Sequence, residues 1–130
     1  MSQILLIEDD TDLVQLFGEA LEMAGFSVIK FTDPVEACEN FEANPYAYDL
    51  VLSDIRMPSM SGLDLVKRIK KFNNDVNVVL MTAFETNDIE SELKELSLDA
   101  FLKKPVHIDQ LIIAIKKCIG NKPGRTSAAR

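Results

Sequence analysis

Cysteine, histidine, basic residues and long apolar runs are all scarce in this sequence. Two cysteines, Cys38 and Cys118, are too few for a disulfide framework, and a chain of 130 residues can bury a core that does not need one. They are expected to be partly buried free thiols. The single histidine, His107, falls where a cap for the last helix belongs. The longest aliphatic runs, Ile4 to Ile7 and Leu111 to Ile115, fall far short of the roughly 20 residues that cross a bilayer. The first is closed at once by Glu8, Asp9 and Asp10, with no basic segment before it, which excludes a secretory signal peptide. A cytoplasmic location without a membrane partner is expected. Fourteen basic residues against twenty-one acidic give a net charge of −7, so a phosphate backbone is repelled by most of the surface. Direct nucleic-acid binding is disfavoured.

What the chain does contain is an ordinary 47% of hydrophobic residues, enough for one core and one domain. Short aliphatic or β-branched runs alternate with longer amphipathic stretches, the pattern of a parallel sheet covered by helices. Strands are expected at Gln3 to Glu8, Phe26 to Phe31, Asp49 to Ser53, Asn77 to Met81 and Ala100 to Lys103. The first, third and fourth are apolar almost throughout, as strands buried on both faces are. A helix follows each. Leu13, Phe17, Ala20, Leu21 and Ala24 form the stripe of the first, closed by Gly25 as a left-handed cap. Thr32-Asp33-Pro34 opens a second that runs to about Ala43, and Leu63, Val66, Ile69 and Lys70 continue a third after Gly62. A charged fourth helix covers Glu85 to Leu96, with Ile89, Leu93 and Leu96 as its apolar line. Ile108, Leu111, Ile112, Ile115 and Ile119 make a fifth, stopped by Gly120. Residues 121–130 keep no apolar period, which predicts a disordered tail or a truncated linker after a domain of residues 1–120.

In an open parallel sheet, ligands bind beyond the C-terminal ends of the strands. Strand one ends in Glu8-Asp9-Asp10 and strand three in Ser53-Asp54, so carboxylates from two strands converge. Like charges held together ask for a cation. With no cysteine or histidine nearby, zinc has no ligand set; the oxygen donors suit a hard ion of the Mg2+ type, with Mn2+ as a substitute. A solvated acidic turn capping the first helix through Asp10 or Asp12 accounts for one or two of these acids, but not for a second cluster on another strand. Strand four ends in Met81-Thr82-Ala83 and strand five in Lys103-Lys104-Pro105, which brings a hydroxyl and an ammonium to the same rim. The proline favours extended geometry at Lys104. Acids for a metal, one further Asp, a hydroxyl and a lysine are the inventory that stabilises a phosphoryl group in transfer.

These residues, in this order, resemble the receiver domain of two-component response regulators over about residues 1–120. The most specific stretch is Asp54-Ile55-Arg56-Met57-Pro58-Ser59-Met60-Ser61-Gly62, followed by Leu65, which is similar to the family's phosphoacceptor loop. The resemblance implies a flavodoxin-like doubly wound α/β fold, a five-stranded parallel sheet of order 2-1-3-4-5 with five helices. It implies that Asp54 accepts a phosphoryl group from a sensor histidine kinase, a phosphotransfer protein or a small acyl phosphate. Asp9, Asp54 and the backbone carbonyl of Arg56 would bind Mg2+, with Glu8 acting through a water and Asp10 a further candidate in the acidic run. Thr82 and Lys104 would contact phosphoryl oxygens. Thr82 and Phe101 match the family's switch positions, Ala83 follows Thr82 at the rim, and Pro105 matches a Lys-Pro bond that is usually cis. Phosphorylation is then expected to alter the face of helix four, strand five and helix five and so control an output partner or an effector domain. The chain would be a signalling switch that catalyses only its own phosphorylation and dephosphorylation.

Four departures from the family pattern stand out. Phe101 replaces a common Tyr, Val106 a common Phe, and Ser97-Leu98 a common Gly-Ala, while Asp109 and Ala114 stand where members that pair through helices four and five carry basic residues. Phe84 and Arg56, each two residues beyond a site position, are expected to flank the pocket mouth and restrict attacking water. Two other readings share part of the inventory. An Mg2+-dependent phosphohydrolase with an aspartyl nucleophile would need a second acid two residues after Asp54, where Arg56 stands. A receiver-like module that only binds would not need every one of these side chains.

Overall fold

Apolar residues alternate cleanly along the central strands, and each half of the alternation is covered by its own helices. The computed structural model describes residues 2–83, 90–96 and 98–120. In chain order these form β1 (Gln3–Ile7), α1 (Thr11–Met23), β2 (Ser27–Phe31), α2 (Pro34–Ala43), β3 (Leu50–Asp54), α3 (Gly62–Phe72), β4 (Asn77–Thr82), α4 (Glu90–Glu95), β5 (Ala100–Lys103) and α5 (Ile108–Gly120). The five strands make one parallel sheet in the order β2-β1-β3-β4-β5. This is the doubly wound, flavodoxin-like order, and the direction of winding reverses between β1 and β3.

Local chemistry sets the helix ends. The Asp10 carboxylate accepts from the Asp12 and Leu13 N–H groups to start α1, and Gly25, at φ 102°, takes the left-handed conformation that ends it. Asp33 caps α2 through Val35 N–H with Pro34 in the first turn, and Ser61 caps α3 through Asp64 N–H. His107 precedes α5, its carbonyl accepting from Leu111 N–H at 3.0 Å. The fourth helix is described from Glu90 to Glu95; the expected stretch from Glu85 to Ile89, and residues 121–130, lie outside the described residues.

Ile4 and Leu6 of β1, Leu50 and Leu52 of β3, and Val79 and Met81 of β4 pack with Phe17 and Leu21 of α1 and with Leu111 and Ile115 of α5. Their alternates, Leu5, Ile7, Val51, Val78 and Leu80, pack with Phe41 of α2, Val66 and Ile69 of α3 and Leu96 beyond α4. Both cysteines are buried and free. At the N-terminal edge of the sheet the acids serve the backbone: Asp49 accepts from Gln3 N–H at 2.8 Å, and Asp99 from Val78 N–H at 2.7 Å. Among the described residues, no helix is long and apolar enough to cross a membrane.

Candidate functional site

The opposite edge of the sheet carries a different kind of acid. Glu8 leaves β1 still bonded to its neighbour, its N–H donating to Phe31 O at 3.1 Å, and its side chain is only 1% exposed. Asp54 ends β3, also buried. One carboxylate oxygen from each of Glu8, Asp9 and Asp54 lies within 4.8 Å of the others. Asp9 is the exposed member of the group, so the cluster opens to solvent on its side.

Lys104 closes the other side. The fold delivers it through a backbone bond, Lys104 N–H to Thr82 O at 2.7 Å, which carries the parallel pairing of β4 and β5 one step past the strand, and the Lys104–Pro105 peptide that follows is cis. Its ammonium donates to Glu8 Oε1 at 2.7 Å and to Asp54 Oδ2 at 2.9 Å. The remaining oxygens are also bonded, Glu8 Oε2 by Asp10 N–H at 3.2 Å and Asp54 Oδ1 by Ile55 N–H at 2.8 Å.

The electrostatics follow from burial. Removal from water pushes the Glu8 carboxyl up to about 7, the Asp54 charge adds to that, and the bonds from Lys104 and Asp10 N–H oppose it. Burial alone would lower the Lys104 ammonium, but its bonds to Glu8 and Asp54 outweigh burial and leave it raised. Three carboxylates against one ammonium leave the cluster with a deficit of positive charge. The donors are all oxygen, so the residues fit a hard divalent cation such as Mg2+.

The other expected site positions lie around this cluster. Thr82, at the end of β4, is buried at 1% exposure, and Ala83 after it is exposed. Phe101, opposite Leu80 in β5, is half-buried against the layer that holds Phe41 and Leu80. Arg56 is exposed on the loop after Asp54. The Asp10 carboxylate serves the first turn of α1 instead of joining the cluster. Phe84 lies outside the described residues.

Two residues that the sequence names only within a strand end and a loop motif, with no role of their own, prove to be of structural consequence. Ser53 Oγ donates to the Asp54 carbonyl at 2.8 Å. Gly62 lies so close to the turn after β3 that a Cβ there would strike the same carbonyl and come within 2.8 Å of Ile55 Cα. A hydroxyl inside an apolar strand was the available signal for the first; for the second, only the glycine itself.

A doubly wound sheet with paired acids beyond β1, an aspartate ending β3, and a lysine beyond β5 bonded to both defines a receiver-type signalling module. The chain belongs to the response regulator receiver domain family, whose model matches residues 4–116. It is 32% identical over 119 residues to the response regulator receiver protein CpdR of Brucella abortus, covering 92% of this chain and 98% of that protein. It is likewise 32% identical over 119 residues to a cyclic di-GMP phosphodiesterase of Thermotoga maritima, but there 92% of this chain spans only 31% of the relative. The crystal structure of the response regulator protein TrrA of Thermotoga maritima, in complex with Mg2+ and BeF, superposes with a TM-score of 0.79 at 30% identity, over 91% of this chain and 99% of that one.

Proposed function

We propose that residues 1–120 act as a phosphorylation-controlled switch in which Asp54 accepts a phosphoryl group from a sensor histidine kinase or a phosphotransfer protein. The observation that carries this reading is the Lys104 ammonium bonded at once to Glu8 and Asp54 beside the three-carboxylate cluster. In the transfer, an Asp54 carboxylate oxygen forms a bond to phosphorus while the bond from phosphorus to the donor's nitrogen or oxygen breaks and the donor keeps that electron pair. Asp9, Asp54 and the Arg56 carbonyl would hold Mg2+ directly and Glu8 through a water, and the ion, when bound, supplies positive charge to the phosphoryl oxygens. Lys104 exchanges its bond to Asp54 for one to a phosphoryl oxygen, so the gain is made where charge builds up. Thr82 supplies a hydroxyl from the end of β4.

The same geometry suggests the readout. The Thr82 carbonyl holds Lys104 N–H, and Leu80, two residues before Thr82, lies opposite Phe101. A new phosphoryl group drawing in Thr82 and Lys104 therefore pulls on the end of β5, where Phe101 can bury its ring more deeply and alter the α4–β5–α5 face for an output partner. With phenylalanine at that position, the readout is ring burial alone.

Intact mass spectrometry after incubation with acetyl phosphate tests the proposal. Wild type with Mg2+ should gain a single phosphoryl adduct, absent with a chelator and absent from Asp54→Asn. An adduct that survives Asp54→Asn, or steady turnover of a generic phosphomonoester, would refute the reading and restore the phosphohydrolase alternative.

A further inference from the structure

Ser53 stands apart from both the acidic cluster and the groups expected to meet the phosphoryl oxygens. It lies in β3 opposite Ile7 and Leu80, two members of the apolar layer beneath α2 and α3, and its exposure is 0%. A hydroxyl in such a layer costs stability unless it is bonded, and an aliphatic side chain would fill the place without that cost. Its bond goes to the Asp54 carbonyl at 2.8 Å.

That carbonyl and the Ile55 N–H belong to one planar peptide unit, so neither can turn without the other. The Ile55 N–H is shared between Asp54 Oδ1 at 2.8 Å and Met81 O at 2.9 Å. Gly62 limits the same unit from another side. Its N–H donates to Ile55 O at 2.7 Å, and its missing Cβ leaves the room that the Asp54 carbonyl occupies. The peptide plane that orients the Asp54 carboxylate is thus held at its N–H by the Met81 carbonyl and at its C=O by the Ser53 hydroxyl and the close approach of Gly62.

We propose that Ser53 is a positioning residue for phosphoryl acceptance at Asp54, its hydroxyl fixing the Asp54–Ile55 peptide plane so that the Ile55 N–H retains Oδ1 and Oδ2 stays at the Lys104 side of the pocket. The inference rests on Asp54 being the acceptor. A small rotation of the carboxylate away from in-line attack lowers the rate without removing any group that touches the donor.

The test compares wild type, Ser53→Ala, Ser53→Cys and Ser53→Thr in the full chain, using two readouts. One is the rate of adduct formation with acetyl phosphate at saturating Mg2+; the other is the Ile55 amide resonance in 15N–1H spectra of the metal-free protein. Ser53→Ala and Ser53→Cys should slow adduct formation roughly five- to tenfold, the worth of one neutral hydrogen bond, and move the Ile55 amide proton upfield. The concentration of acetyl phosphate giving half the maximal rate should not change. Ser53→Thr, which keeps the hydroxyl, should restore the rate to within about twofold of wild type. Cysteine is nearly isosteric with serine and a weak donor, so the comparison stands even if the alanine variant fails to fold. A wild-type rate in the folded alanine or cysteine variant overturns the inference, and so does a slowed rate with an unmoved Ile55 amide. No adduct on wild type refutes the acceptor reading, and the inference with it.

Discussion

Replacing Lys104 with methionine should cost stability in a way that depends on pH. The ammonium bonds both Glu8 and Asp54, and Glu8 is almost fully buried, so its removal strands a carboxylate that has only the Asp10 N–H left. Removing one partner of a buried ion pair can cost about 3–5 kcal/mol when the remaining charge has no escape. Glu8 has one, because its carboxyl already sits near 7 and can take up a proton. An acid whose folded-state pKa is raised binds protons more tightly folded than unfolded, so its contribution is complete at pH below the ordinary value of 4.5 and is lost as pH rises towards about 7. In Lys104→Met the folded value climbs further, and the loss continues to higher pH. At pH 8, one unit above the wild-type value, keeping Glu8 protonated costs about 1.4 kcal/mol relative to wild type. The lost bond to Asp54 adds about 1 kcal/mol. The expected destabilisation is therefore about 2–3 kcal/mol at pH 8 and about 1 kcal/mol at pH 5.5, where Glu8 is already neutral in the wild type. Urea unfolding at the two pH values, in a chelator, measures both figures. Equal losses at the two pH values would refute the argument, as would failure of Glu8→Gln in the same background to remove the pH dependence.

Further outcomes follow from the same geometry. Mg2+ binding should tighten with pH by up to about tenfold per unit below pH 7 and level off above it, since the cation favours ionised Glu8; titration calorimetry at pH 6, 7 and 8 would detect a flat profile if that proton is not displaced. Gly62→Ala drives a methyl group into the Asp54 carbonyl and should cost about 1–3 kcal/mol of stability in urea unfolding. Asp10→Ala removes the acceptor for two N–H groups of α1 and should cost about 1 kcal/mol while the rate of adduct formation stays within about twofold; a larger loss of rate would place Asp10 among the metal ligands. Phe41→Ala, at a fully buried ring stacked on Tyr48 with centroids 6.0 Å apart, should cost about 3–5 kcal/mol in the same assay.

Strands β1, β3 and β4 are legible because burial on both faces writes nearly unbroken apolar runs, and the ends of all five are read to within one residue. The differences are single residues at strand ends, where backbone bonding outlasts the regular strand: β3 begins at Leu50, yet Asp49 N–H still donates to Gln3 O at 2.8 Å while its carboxylate accepts from Gln3 N–H. Gly25 and Pro34 marked helix boundaries through their own backbone restrictions, which need no tertiary context. Convergence of Glu8, Asp54 and Lys104 could be expected from strand order, since parallel strands all place their C-terminal ends at one edge. The bond of Ser53 to the next carbonyl and the approach of Gly62 to the turn after Asp54 could not. Both depend on distances of a few ångströms between segments, and a sequence pattern carries faces and periods but not gaps.

The bond between Lys104 and Glu8 joins residues 96 apart in the chain. The residue that follows the fifth strand therefore supplies the ammonium that bonds the acid following the first. No folding intermediate lacking a docked β5 can hold this site, however well β1 to β4 have packed. If Asp54 accepts a phosphoryl group as proposed, a copy in which β5 has not docked lacks the ammonium that bonds Asp54.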